Sequence, residues 1–207
     1  MIVSIEGIDG AGKNTLVGAL RTQLHAHTLA FPRYEDSVHA QLAQRALRGQ
    51  MGDLVDSVYG MATLFALDRR GAAETLRAYR DRGILVLDRY VASNAAYSAA
   101  RLAGDPRRAR QAVAWVRDLE FGRFGLPRPD LQVLLDTPPE VALRRARARE
   151  REDAARTRDR YEHDGDLQER TRAAYRELAR RQWEGPWLVA SDPQAVVQAV
   201  RDLAVER

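Results

Sequence analysis

The feature that most restricts the fold of this chain is the run Gly7-Ile8-Asp9-Gly10-Ala11-Gly12-Lys13-Asn14-Thr15. It follows a short apolar stretch at residues 2–5. It opens a segment whose Leu16, Val17, Leu20 and Leu24 fall on one helical face. A strand that passes through a glycine-rich turn into a helix leaves backbone N–H groups converging at the helix N-terminus. Such a turn holds anions, because those N–H groups and the positive end of the helix dipole point the same way. The run nearly fits the phosphate-loop pattern G-x-x-x-x-G-K-[ST]. Lys13 supplies a compact cation for β- and γ-phosphates. Gly7, Asp9, Gly10, Ala11, Gly12, Lys13, Asn14 and Thr15 are therefore the expected cradle for a nucleoside triphosphate. Asn14 stands where a Ser or Thr hydroxyl would ligate Mg²⁺, and Thr15 comes one residue late. The metal is expected to lean on carboxylates and on the substrates' own phosphates.

Further along the chain, apolar runs at 28–31, 84–87, 131–135 and 187–190 read as four more strands. Helical patterns lie between them at 37–47, 92–102, 106–124, 167–183 and in segments starting at Pro138-Pro139 and Asp192-Pro193. Asp53 is placed to cap one long helix running to about residue 82 and ended by Gly83. Strands alternating with helices predict a five-stranded parallel sheet covered on both faces, in one domain spanning 1–207. Ligands then sit at the carboxyl ends of the strands. Those ends are Glu6-Gly7, Phe31-Pro32, Asp88-Arg89 and Asp136.

Composition excludes several classes. The 207 residues contain no cysteine, so no disulfide framework or thiolate metal site is available. No apolar run approaches the roughly 18 residues that span a bilayer. The N-terminus has no charged segment followed by an apolar one, so a secretory signal is not expected and a cytoplasmic setting is. Of the 33 basic residues one is lysine, Lys13, and 32 are arginine. The segment 144–160 holds eight arginines and four acids, while outside it basic and acidic residues balance at 25 each. The net charge of +4 therefore lies in one short stretch. A nucleic-acid binder would be expected to spread it as a stripe, so no nucleic-acid partner is expected. A guanine-reading Asn-Lys-x-Asp motif is impossible, because the single lysine is already in the loop.

Asp88-Arg89-Tyr90 follows the third strand, where an acid can hold Mg²⁺ or its water and an arginine can clamp a phosphate. Phe65 and Arg69 are four apart and share a helix face, which suits stacking on a base and reading its edge. These residues, with EGIDGAGKNT, FPRY at 31–34, FALDR at 65–69, LDRYVASNAAYSAAR at 87–101 and RDRYEHD at 158–164, resemble the bacterial thymidylate kinase family, nearest its actinobacterial branch.

The resemblance implies a three-layer P-loop NTPase-type fold with an arginine-rich lid at about 147–162. It implies ATP-dependent phosphorylation of dTMP to dTDP, with ATP as donor and Mg²⁺ as cofactor. By resemblance, thymine stacks on Phe65 and its edge meets Arg69 and Asn94. Tyr97 lies under the sugar and Arg89 holds the acceptor phosphate, with Tyr34 and Phe31 nearby. Tyr161 closes over the site. Asp9 lies near sugar and metal, and Glu162 helps hold Mg²⁺ with Asp88. No arginine lies inside the phosphate loop, so the lid must supply the catalytic one, with Arg149, then Arg156 and Arg160, as candidates alongside Lys13 and Arg89. Arg149 is also assigned to ATP. Family members are commonly homodimers, and the broadly apolar helix from Asp53 leads to the same expectation here. The alternative reading is a related P-loop kinase for another nucleoside monophosphate or a deoxynucleoside. A nucleic-acid binder and a non-catalytic descendant, the latter suggested by Asn14, are the other competing classes.

Overall fold

The computed structural model describes residues 1–79, 82–152 and 160–205, with side chains omitted at 147, 149–152 and 162. Five strands, β1 (Ile2–Glu6), β2 (His27–Ala30), β3 (Leu85–Asp88), β4 (Leu131–Leu135) and β5 (Trp187–Ala190), form one parallel sheet in the order β2-β3-β1-β4-β5. The helices are α1 (Lys13–Leu24), α2 (Val38–Leu47), α3 (Val58–Gly71), α4 (Ala73–Ala78), α5 (Val91–Arg101), α6 (Pro106–Arg117), α7 (Pro139–Glu152), α8 (Arg160–His163), α9 (Gly165–Arg180) and α10 (Pro193–Val205). Strand alternation sorts the core into two layers. Ile2, Leu85, Leu87 and Leu134 pack with residues of α4, α5, α6 and α9 on one face. Val3, Ile5, Val86, Val133 and Leu135 pack with α1 and α10 on the other. The expected three-layer architecture is present. β1 lies at the centre, so its carboxyl end delivers the glycine loop between the ends of β3 and β4.

The loop is held tightly. Gly10 has φ +81°, and a Cβ there would lie 2.1 Å from the Ala142 carbonyl oxygen of α7. Only glycine tolerates both conditions, so the loop and the root of the arginine-rich helix are packed as one body.

The single long helix expected from Asp53 is not formed. Residues Gly52–Asp56 make a 3₁₀ turn, and Ser57 rather than Asp53 caps α3, its Oγ accepting from the Gly60 N–H at 3.0 Å. A second break separates α3 from α4. The Arg33 guanidinium donates to the Asp68 carbonyl oxygen at 2.5 Å, and the Ala72 N–H, which would otherwise bond that carbonyl, goes to Arg69 O at 3.0 Å. A side chain inserted into the i→i−4 ladder interrupts a helix in this way. The helix expected over 106–124 is likewise shorter: beyond Arg117 the chain widens into a π turn, Asp118–Arg123. Replacing Ser57 by Ala should cost about 1 kcal/mol and lower Tm by roughly 2–4 °C. Asp53→Ala should change stability by less than about 0.5 kcal/mol, both read from thermal unfolding.

Candidate active site

Two cavities meet at the end of the sheet. One is lined by Gly10, Gly12, Lys13, Asn14, Thr15, Asp88, Arg145 and Ala148. The other encloses about 580 Å³, open to solvent, and is lined by Pro32, Tyr34, Leu47, Phe65, Arg69, Ser93, Asn94, Tyr97 and Tyr161. Asp9, Phe31 and Arg89 line both. The nine residues assigned to dTMP from sequence, Asp9, Phe31, Tyr34, Phe65, Arg69, Arg89, Asn94, Tyr97 and Tyr161, are thus brought to a single cavity.

The shared wall is an ion pair. Arg89 Nη2 donates to Asp9 Oδ1, and Arg89 Nη1 donates to Gly7 O at 3.0 Å. Arg89 has φ +66°, a left-handed conformation costing about 1–3 kcal/mol for a non-glycine residue, and its N–H donates to Ile5 O at 2.9 Å. Tyr97 donates to Asp9 Oδ2 at 2.8 Å. Burial alone would raise the Asp9 pKa, but the charges of Arg89 and Lys13 and the Tyr97 hydroxyl outweigh it and hold the carboxyl at about 2. Asp9 is therefore an anion, with each oxygen engaged by a protein donor. Lys13 donates to Gly7 O at 3.2 Å and Ile8 O at 2.9 Å. Burial, then the charge of Arg89, pushes its ammonium down to about 8.

Behind this wall sits Glu6, fully buried at the end of β1. It accepts from Tyr90 N–H at 2.9 Å, Ser93 Oγ at 2.6 Å and Tyr175 Oη at 3.3 Å. Arg89 Nη1 reaches the Tyr175 hydroxyl at 3.3 Å. The central strand thus anchors the start of α5, which carries Asn94 and Tyr97. Burial raises the Glu6 pKa above its ordinary 4.5, against the hydrogen bonds and the Arg89 charge.

The proposed metal ligands differ in availability. Asp88 Oδ1 is buried and has no hydrogen-bond partner, in the wall that also holds Asn14 and Thr15. An orphaned carboxylate oxygen beside a phosphate cradle fits a hard divalent cation. Asp9 is already committed to Arg89 and Tyr97. Among the described residues no three His, Cys, Asp or Glu side chains converge as a ligand set.

Arg156 lies outside the described residues, as do the side chains of Arg149 and Glu162. Arg160 lines neither cavity; its Nη2 pairs with Asp56 at 2.9 Å, both groups exposed. Asp192 caps α10 through the Gln194 and Ala195 N–H groups.

Several site residues were missed in the sequence. Arg145, one turn before Arg149 on α7, lines the phosphate-loop cavity, its Nη1 donating to Ala11 O at 3.3 Å. Its place at the root of the arginine run was the available signal. Gln168 accepts from the Asp9 N–H at 3.4 Å and donates to Tyr161 O at 2.9 Å. Arg101 donates to the Tyr161 hydroxyl at 2.6 Å, and the Tyr161 ring stacks on Tyr97 at 5.8 Å. Glu120 ion-pairs with Arg69 and accepts from Asn94. Nothing local in the sequence marks Gln168 or Glu120.

The profile of the family described as "Thymidylate kinase" matches residues 5–200. A thymidylate kinase of Mycobacterium tuberculosis (strain H37Rv) is 54% identical over 195 residues, covering 91% of this chain and 90% of that protein. A thymidylate kinase of Bifidobacterium longum (strain DJO10A) is 34% identical over 187 residues, covering 86% and 84%. Among solved structures, thymidylate kinase from Candida albicans superposes with a TM-score of 0.73 at 20% identity, over 98% of this chain and 89% of that one. Deoxyadenosine kinase from M. mycoides gives 0.67 at 16% identity over 100% of both chains. These two likenesses speak to the fold.

Replacing Glu6 with Gln keeps an acceptor for the Tyr90 N–H and a donor for the Ser93 and Tyr175 oxygens. A carboxyl with a raised folded pKa gives up its proton sooner in the unfolded chain, so the wild type loses stability as pH rises above the ordinary carboxylate range. The variant lacks that loss. Its stability relative to wild type should rise as pH increases above the ordinary carboxylate range, measured as urea midpoints; parallel pH profiles would contradict this origin.

Proposed function

The chain belongs to the thymidylate kinase family, and from that membership we infer that it transfers the γ-phosphoryl group of ATP to dTMP, giving dTDP. It is a transferase of small nucleotides. The single observation that carries the residue assignments is the common wall: the phosphate-loop cavity and the nucleoside-sized cavity share Asp9, Phe31 and Arg89. ATP enters the first, with its phosphates on the N–H groups of the loop and on Lys13. dTMP enters the second, its base against Phe65, Arg69 and Asn94, its sugar on Tyr97, and its phosphate at Arg89. Transfer takes place across the wall.

The acceptor phosphate is already an anion near neutral pH, so no strong general base is required. The difficulty is repulsion between two anions and charge on the transferred group, which fixed cations relieve. Lys13 and Arg89 stand in place, and Arg145 lines the donor side. Arg149 and Arg156 of the lid are proposed to complete the set when the lid at about 147–162 closes. Arg160, paired with Asp56, would have to exchange that partner to join them. Asp88, with its unpartnered oxygen, and Glu162 are proposed to hold Mg²⁺, which when bound would neutralise charge on the donor phosphates. Asp9, held by Arg89 and Tyr97, serves best as the anion that orients the arginine. A single domain over 1–207, a cytoplasmic setting and a homodimer belong to the same reading, with Val38 and Tyr59 exposed on α2 and α3.

A coupled ADP-release assay over a panel of nucleoside monophosphates and thymidine should show dTMP as the best acceptor; a better turnover with any other acceptor would favour the related-kinase reading. Lys13 lines the donor cavity and is absent from the acceptor lining. Lys13→Ala should lower kcat by about 10²-fold or more while dTMP affinity, measured by calorimetry, stays near wild type. Equal loss of dTMP binding would show that the two sites are not separable.

A further inference from the structure

Glu120 lies in the π turn after α6 and is fully buried, so no substrate atom reaches it. Its carboxylate accepts from Arg69 Nε and from Arg69 Nη2 at 2.9 Å, and from Asn94 Nδ2 at 2.8 Å. Asn94 Nδ2 gives its other hydrogen to Ala62 O at 3.0 Å. The opposite amide orientation would set the Asn94 oxygen against a carbonyl and a carboxylate, pairing acceptors with acceptors. Glu120 and Ala62 therefore consume the Asn94 donors and leave Oδ1 as the free atom. In Arg69, Glu120 alone takes Nε and one hydrogen of Nη2 and leaves Nη1. Neither atom has a partner among the described residues, and neither is among the buried polar atoms sealed from solvent, which are Ser4 Oγ, Asp88 Oδ1 and Thr171 Oγ1. Both side chains line the acceptor cavity. The edge they present is one donor beside one acceptor.

We propose that Glu120 is a positioning residue that fixes the hydrogen-bond polarity of this edge, so that the cavity takes a 2,4-dioxopyrimidine and rejects a 4-aminopyrimidine. The complement of an acceptor at Asn94 and a donor at Arg69 is an N3–H donor beside an O4 acceptor. A 4-aminopyrimidine presents the reverse at both positions, an N3 acceptor and an amino donor. Two mismatched contacts in a desolvated pocket discriminate strongly, because each leaves a polar group unpaired. Ala62 O is a backbone acceptor that stays in any variant, so Glu120 is the side-chain half of the pair that holds Asn94 Nδ2 inward: an amide there offers one acceptor in place of two, and when its own NH₂ faces Asn94 it removes one of the two acceptors that favour the native amide orientation.

The inference rests on placing the base of dTMP at Phe65, Arg69 and Asn94, and the test separates the two. In Glu120→Gln, kcat/KM for dTMP and dCMP is measured, with KM for ATP as reference. The dTMP:dCMP preference should fall by at least about tenfold through the KM values of the monophosphates, with KM for ATP within about twofold of wild type. A Glu120 that only supports the fold would lower Tm and reduce kcat for both acceptors alike; a wild-type preference in the variant overturns the proposal. Asn94→Ala is run in parallel. If it leaves KM for dTMP unchanged, the base placement fails and the proposal with it. If it raises KM while Glu120→Gln keeps the wild-type preference, the proposal alone fails. Should Glu120→Gln not fold, the side-chain NH₂ resonances of Asn94 in the wild-type enzyme decide. They should stay protected from exchange and nearly unshifted on adding dTMP; a ligand-induced shift marking donation from Nδ2 to the base overturns the proposal.

Discussion

The Asp9–Arg89 ion pair is the contact on which the rest of the site depends. It joins the loop after β1 to the end of β3, and it forms the wall between the two cavities. Because Asp9 is held ionised at about 2, the pair keeps its charges wherever the protein is folded under ordinary conditions. Its geometry is bought with a left-handed backbone at Arg89, which persists because bonds to Ile5 O, Gly7 O and Tyr175 over-determine it. In the role proposed for it, an arginine pinned in this way would meet a phosphate with little reorganisation, the condition under which electrostatic catalysis is effective.

Two further networks extend from the pair. On the sheet side, Glu6 binds Tyr90, Ser93 and Tyr175, so the central strand sets where α5 begins. On the side of α8 and α9, Gln168 joins the Asp9 N–H to the Tyr161 carbonyl, and Tyr161 stacks on Tyr97. The two cavities and the start of α8 and α9 therefore share partners. A change at one is felt at the others through hydrogen bonds between buried or partly buried groups, where the local dielectric strengthens them.

Much of this was legible in the sequence, and for identifiable reasons. Five apolar runs separated by helical periods specified a parallel sheet, and the glycine loop with Lys13 specified an anion site at its edge. The residues of the nucleoside cavity were placed by resemblance, since Phe31, Phe65, Arg69, Asn94 and Tyr97 come from three separate segments. The helix from Asp53 was misjudged because its apolar positions continue through both breaks. Those breaks are made by Ser57, which caps locally, and by Arg33, which reaches the helix from 35 residues away in the chain.

The sequence by itself determined the five strands, their alternation with helices, and the chemistry of the phosphate loop, because hydrophobic period and glycine spacing act over a few residues. Tertiary structure alone decided the partners. Asp9 met Arg89 and Tyr97 across 80 and 88 residues, and Glu120 met Arg69 across 51. Only the packed fold brings such groups together away from bulk water, and there a carboxylate is either paired or costly. Each buried charge therefore has a specific role that no stretch of sequence spells out.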